Sequence, residues 1–272
     1  MTIPTLGRKQ SLTRDNWQHV ADNIDQVVPR TELDALIDRT IDHLRDYSRG
    51  KHIAYGWSAG KDSIGLRWLI DQADLQWPSF ITFTETLEYP AFVDWANTHA
   101  PDGLQTMTAP LNHTWLRNNP HMLFPQDATT NNKWLQRVQR WGWTQYNREH
   151  SPDAIALGKR THDGNNVGPK GSNVSTNRAG VTTWSPIADW RHEHLVALIT
   201  YEGLELPAIY DHPRGFEVGT GPWAQRNGTH PDPHAPSYGW AEVYAIDPTI
   251  VHHAAAENIP GAAAYLQEHT NG

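Results

Sequence analysis

The sequence predicts an α/β protein with a doubly wound, mostly parallel sheet, N-terminal helices ahead of it and a loop-rich C-terminal region. Short apolar strands alternate with amphipathic helical stretches between residues 51 and 158. The first strand runs through a glycine-bearing turn directly into a helix. Strand–helix–strand alternation of this kind closes through right-handed crossovers, which make neighbouring strands parallel.

The elements follow in order. Trp17, Val20, Ile24 and Val27 fall at helical spacing in residues 14 to 28, and Pro29 ends that run. Thr31 reads as the N-cap of a second helix with Leu33, Leu36, Ile37, Ile41 and Leu44 on one face, stopping near Gly50. His52 to Trp57 reads as a buried strand and Ile64 to Ala73 as the helix after it. Ser79 to Thr84 is a second strand, Pro90 to Thr98 a helix, Leu104 to Thr108 a third strand and Asp153 to Gly158 a fourth. A long helical stretch, Asn131 to His150, carries Trp134, Val138 and Trp141 on one face. The polar segment Lys159 to Gly180 is too long for an ordinary connection and reads as a mobile lid or a disordered loop. A helix from about Asp189, which could cap it, to about Gly203 follows. Pro- and Gly-rich loops then run to about His234, before helical stretches at Pro248 to Glu257 and Gly261 to Glu268.

The 272 residues suffice for a core without covalent staples. A formal net charge of -8 disfavours non-specific attraction to phosphate polymers, so any phosphate site must be local. With no cysteine, the chain has no disulfide, no thiol nucleophile and no Cys-held zinc or iron–sulfur cluster. No apolar stretch approaches ~18 residues and no secretory leader is evident, so the expectation is a soluble, cytoplasmic protein without membrane contact.

The chemistry concentrates in Ser58-Ala59-Gly60-Lys61-Asp62-Ser63. A parallel strand that turns into a helix N-terminus offers free backbone N–H groups and the positive end of a helix dipole to an anion. Small residues let a phosphate approach, the Ser58 and Ser63 hydroxyls can donate, and Lys61 adds a positive charge. Asp62 beside a phosphate is costly unless a cation lies between, which makes it a candidate Mg²⁺ partner, directly or through water. The Walker A register fails, because three residues separate Gly56 and Gly60 and Asp62, not Ser or Thr, follows Lys61. Plain turn chemistry also produces Ser/Gly loops between strand and helix.

The loop resembles the SGGxDS signature of the PP-loop, or adenine nucleotide α-hydrolase, group, with Ala59 in place of one glycine. Alanine there keeps access open unless the position needs positive φ. Further along, FITFTETLEYPAFVDWA, ALGKR, SPIADWRHEHLVALITYEGLELPAIYD and GFEVGTGPWAQR resemble, in order, segments of the phosphoadenosine phosphosulfate (PAPS) reductase-like family, over roughly residues 45 to 220. That resemblance implies a Rossmann-like nucleotide-binding core at 49–212, a helical extension at 1–48 and a C-terminal tail at 213–272. It also implies that Ser58, Gly60, Lys61, Asp62 and Ser63 cradle phosphates. Backbone from Tyr55 to Trp57 and at Phe83 and Thr84 would hold adenine and ribose, and Gly158 and Arg160 would line the same cleft.

Reductases of that family resemble one another in using a C-terminal cysteine, and this chain has none. The chemistry left to the resemblance is attack by a substrate oxygen on the α-phosphate of ATP, with Mg²⁺ and with pyrophosphate leaving into the loop. Lys61, Asp62 and Arg160 are the catalytic candidates, and Arg160 or Arg178 could close over the phosphates. The acceptor is not readable. Two other readings are a sulfonucleotide-binding protein that uses an external thiol, and a non-catalytic nucleotide-binding subunit of a nucleic-acid-modifying complex. A homodimer is compatible with each.

Other groupings are weaker. His192 and His194 lie two apart on a helix and point to different faces, His252 and His253 lack a third ligand, and His230, Asp232 and His234 form a possible loop chelate. Lys133, Arg137, Arg140 and Arg148 interleave with Trp134, Trp141 and Trp143 as on a nucleic-acid surface. Packing of the tryptophans with the cations in solvent is the favoured account, and Trp190 likewise reads as a packing residue.

Overall fold

The computed structural model describes residues 6, 13–169, 172–226 and 239–270. The helical spacing of Trp17 to Val27 yields two helices instead of one, α1 (Arg14–Asp22) and α2 (Ile24–Val27), because Asn23 leaves helical geometry. Helix α3 (Arg30–Ser48) begins one residue before Thr31, and its N-cap is Pro29, whose fixed φ of -54° suits the entry to a helix. Strand β1 (Ile53–Gly56) and helix α4 (Lys61–Gln72) follow. Helix α4 starts three residues earlier than the apolar spacing suggests, since its first turn is the polar loop motif itself. Next come β2 (Ser79–Thr84), α5 (Pro90–Thr98), β3 (Gln105–Ala109) and α6 (His113–Asn118).

The stretch read as one helix from Asn131 is α7 (Ala128–Leu135), a π-helical turn over Gln136–Arg140 and α8 (Trp141–His150). Gly142, in the first turn of α8, is required by contact, because a Cβ there would overlap the Thr82 hydroxyl. Strands β4 (Ala154–Leu157), β5 (Val174–Thr176) and β6 (Thr182–Trp184) and helix α9 (His192–Glu202) complete the middle of the chain. Short helix α10 (Gly215–Val218) is followed by α11 (Trp240–Ile246), α12 (Pro248–Ala256) and α13 (Ala262–Thr270).

The six strands form one sheet in the order β3-β2-β1-β4-β6-β5. Strand β1 pairs parallel with β2 (Tyr55 opposite Ser79) and with β4 (Ile53 opposite Ala154), and β4 pairs parallel with β6. Strand β5 is antiparallel to β6. The doubly wound α/β expectation is therefore met, with one antiparallel edge. Within the segment read as a mobile lid or a disordered loop, Val174 to Thr176 is edge strand, turned back on β6 through Asn177 to Gly180. Alternation is too short in three residues to mark a strand, and only its pairing with β6 does so.

Two compact units divide the chain. The first contains residues 1–81, 99–106 and 143–219, and the second 82–98, 107–142 and 220–272. The N-terminal helices belong with the sheet of the first unit because aromatic packing ties them there. Tyr47 of α3 stacks on Trp184 of β6 at 4.0 Å, and the buried Trp190 donates its indole N–H to Thr40 Oγ1 at 3.1 Å. Trp190 is thus a packing residue. In the second unit Trp240 meets Phe124 edge-on at 4.9 Å, and the buried Arg226 pairs with Glu242 at 2.9 Å. Among the described residues, no helix is long and apolar enough to cross a membrane.

Candidate functional site

Strand order decides where a site can lie. From β1 the chain moves to β2 and β3 on one side and later returns to place β4 on the other, so the loop after β1 stands where the order reverses. In open parallel sheets, ligands bind outside the carboxyl ends of the strands at such a reversal. The loops after β1 and β4 meet there backbone to backbone. A Cβ on Gly158 would lie 2.9 Å from the carbonyl of Asp62 and 3.1 Å from the Ser63 nitrogen. Gly158 is therefore needed for the contact itself, whatever else it touches.

The loop is held from within. Ser63 Oγ donates to Gly60 O at 2.9 Å and accepts Ser58 N–H at 3.1 Å, which leaves the Ser58 hydroxyl to donate to Ser63 Oγ at 3.2 Å. Ser63 N–H also returns to Gly60 O. Ala59 has φ +52°, so the position does require the left-handed conformation that glycine adopts freely. A left-handed residue in such a turn gathers successive N–H groups into an anion-binding concavity. Among the described residues, no hydrogen bond reaches the backbone N–H of Ala59, Gly60 or Asp62, whereas Lys61 N–H donates to Tyr210 Oη at 2.9 Å.

Charge in the loop is balanced by residues far along the chain. Asp62 accepts from Lys61 Nζ on one carboxylate oxygen (2.7 Å) and from Arg160 Nε on the other (2.5 Å). Arg160 is fully buried and also binds Asp163 at 3.0 Å, while its Nη2 faces His192 Nδ1 at 3.2 Å. Burial alone would raise the Asp62 pKa, but Arg160 and then Lys61 outweigh it and hold the carboxylate well below its ordinary range. Burial, reinforced by Arg160, pushes His192 down to about 4, so His192 is neutral and can accept from the guanidinium. Trp17 lies under Lys61 Nζ at 5.5 Å and meets His192 edge-on at 5.5 Å. Buried Trp17 Nε1, His192 Nε2 and Asp163 Oδ1 have no hydrogen-bond partner among the described residues.

The six loop residues, Gly158 and Arg160 thus converge in the first unit. Trp57 adjoins them, but its backbone N–H is used by Phe80 O at 2.9 Å, as is that of Tyr55 by Pro78 O at 3.0 Å. Phe83 and Thr84 end β2 in the second unit. There Phe83 packs edge-on to Phe92 at 6.2 Å, and Thr84 gives both its backbone N–H and its hydroxyl to Glu88 Oε1. Burial pushes Glu88 up to about 7 against the lowering effect of those two bonds. Arg178 sits exposed on the β5–β6 turn. Sequence reasoning missed Tyr210, Asp163 and the role of His192. Tyr210 and His192 lie in the segment SPIADWRHEHLVALITYEGLELPAIYD that carries the resemblance, but only the fold brings them and Asp163 to the loop.

Among the described residues, no metal site made of protein ligands alone is present here. Both oxygens of Asp62 are committed to cations, and no cluster of three or more His, Cys, Asp or Glu suited to a metal occurs among the described residues. His192 Nδ1 is taken by Arg160, and His194 by Arg191 and Glu32. His252 and His253 are exposed on α12, and His230, Asp232 and His234 lie outside the described residues. Asp189 does not cap α9, whose N-cap is Arg191. In the basic–aromatic stretch, Trp134 is buried with its Nε1 donating to Met122 O, and Lys133, Arg137, Arg140 and Arg148 are exposed.

No protein-family model matches the chain, and no relative was found among curated proteins. Solved structures similar to it include a phosphoadenylyl-sulfate (PAPS) reductase from Candida auris in its phosphate complex (13% identity, TM-score 0.47, 74% of this chain and 92% of that one). An NMN synthetase from Francisella tularensis matches at 13% identity and TM-score 0.42, over 69% and 76% of the two chains. A U34-tRNA thiolase, NcsA, from Methanococcus maripaludis with its [4Fe-4S] cluster matches at 12% and 0.37, over 97% and 84%. At TM-scores below 0.5 such likeness assigns no function to this chain.

Proposed function

We propose that the chain binds an adenine nucleotide by its phosphates at the Ser58–Ser63 loop and cleaves ATP at the α-phosphate to adenylylate an acceptor. The observation that carries this reading is the set of backbone N–H groups at Ala59, Gly60 and Asp62 that no described residue bonds, at the strand-order reversal and the start of α4. Such groups, in low dielectric and already oriented, stabilise phosphate charge without reorganisation.

Lys61 supplies the movable cation. Its ammonium is bound to Asp62, and the remaining charge on Asp62 is matched by Arg160, so Lys61 can turn to a phosphate without leaving a bare carboxylate. In the reaction an acceptor oxygen bonds to the α-phosphorus and the bond to the departing pyrophosphate breaks. The loop N–H groups and Lys61 compensate the charge gained by that leaving group. With Lys61 turned to a phosphate, the freed oxygen of Asp62 would be the protein group beside a magnesium ion, which would supply charge neutralisation at the phosphates; no step is routed through it.

Equilibrium binding of ATP, AMP and PAPS, with and without Lys61→Ala, tests the site. ATP should bind, and the variant should lose about tenfold or more in affinity. Equal affinity in wild type and Lys61→Ala removes the loop assignment. Acceptor-dependent pyrophosphate release supports adenylylation. Tight PAPS binding with no turnover of ATP would instead support a sulfonucleotide-binding protein, and nucleotide binding without any turnover a non-catalytic subunit.

A further inference from the structure

A cavity of about 190 Å³ opens within the first unit, between α1 and the C-terminal half of α9. Trp17, Val196, Ile199, Leu206 and Phe216 wall it, with Trp17 and Phe216 stacked on each other at 4.4 Å, and Arg14 stands among its lining residues. It has room for about six waters and is smaller than pockets that take drug-sized molecules, which excludes a nucleotide as occupant.

The polar groups choose the class of ligand. Among the described residues the Arg14 side chain makes one long contact, 3.3 Å from Nη2 to Oδ1 of Asp211, which lines the same cavity and must swing out for a carboxylate to take its place, and the two side chains are 49% and 72% exposed. A pair so exposed holds weakly, and a single contact leaves the guanidinium fork unsaturated. Arg14 is also the first residue of α1, where the helix dipole is positive. Apolar aromatic walls with a guanidinium that can donate two parallel hydrogen bonds to a carboxylate suit a small aromatic monocarboxylate.

We propose that this cavity binds a small aromatic carboxylic acid, its ring against Trp17 and Phe216 and its carboxylate on Arg14. The site is one side chain away from the loop, because Tyr210 both lines the cavity and accepts Lys61 N–H. Binding here does not depend on the nucleotide reading, and ATP titrated into the same samples reports on that reading separately.

Calorimetric titration with benzoate and with the neutral benzyl alcohol tests it on the full chain. Benzoate should bind at millimolar concentration, and benzyl alcohol and the Arg14→Gln variant should each weaken the interaction about threefold to tenfold. Ala21→Leu, which fills the cavity, should abolish benzoate binding. Thr200→Trp, at an exposed rim position, should do the same without disturbing the core. The proposal is overturned if benzoate does not bind, if benzyl alcohol binds as well, or if folded Thr200→Trp protein still binds benzoate as the wild type does.

Discussion

Asp62 accepts the Nε–H of Arg160 at 2.5 Å, a contact across 98 residues of sequence that joins the loop after β1 to the turn after β4. Asp62→Asn should therefore act in two directions. It leaves the fully buried Arg160 with one carboxylate, Asp163, and should cost about 3 kcal/mol of stability. It also releases Lys61, so affinity for inorganic phosphate or ATP without added metal should rise about threefold to tenfold. Chemical denaturation and calorimetry read the two effects. A fall in metal-free phosphate affinity would show that Asp62 helps hold the anion.

The same carboxylate sets an acid limit. Its folded pKa lies below the unfolded value of 3.8, so its contribution is present above that value and lost as pH falls below it. Thermal melts between pH 2 and 5 should show a steeper acid loss in the wild type than in Asp62→Asn.

Ala59→Gly should stabilise the protein by about 1 kcal/mol, since φ +52° strains any residue with a Cβ. Phosphate affinity should hold or improve. A loss of stability in urea denaturation would mean that the alanine methyl, fully buried here, contributes more by packing than it costs in strain.

Gly158→Ala should cost about 1–3 kcal/mol and weaken nucleotide binding together, because the new Cβ meets the Asp62 carbonyl at 2.9 Å and the loop must move. The urea midpoint and the ATP affinity are the two readouts. Unchanged affinity in a destabilised protein would separate Gly158 from the loop's function.

Glu88 predicts the opposite pH trend in the second unit. Its folded pKa, about 7, is above the ordinary 4.5, so its contribution is complete below 4.5 and lost as pH rises through 7. Glu88→Gln should flatten the stability profile across that interval, as followed by thermal melts from pH 4 to 8. A profile identical to the wild type would mean that Glu88 is ionised at ordinary pH values.

Much of this molecule is legible in local sequence. The strand–loop–helix at Ile53 to Gln72 follows from a buried apolar run, small turn residues and helical spacing, all set within a few residues of one another. Helix boundaries slipped where polar residues form the first turn, as at Lys61, or where proline serves as a cap, as at Pro29. Strand β5 was invisible because three residues acquire strand geometry only from their partner.

By itself, then, the sequence determined the kind of loop: a tight turn of small residues at a helix N-terminus, with Lys61 and Asp62 beside it and no thiol anywhere. Tertiary structure decided its electrostatics. Arg160 reaches Asp62 across 98 residues, and Tyr210 accepts Lys61 N–H across 149. Sheet order brings these partners to one place. Spacing along a chain encodes periodicity and turns, whereas a buried ion pair forms only where folding places two charges in a shared, water-poor volume.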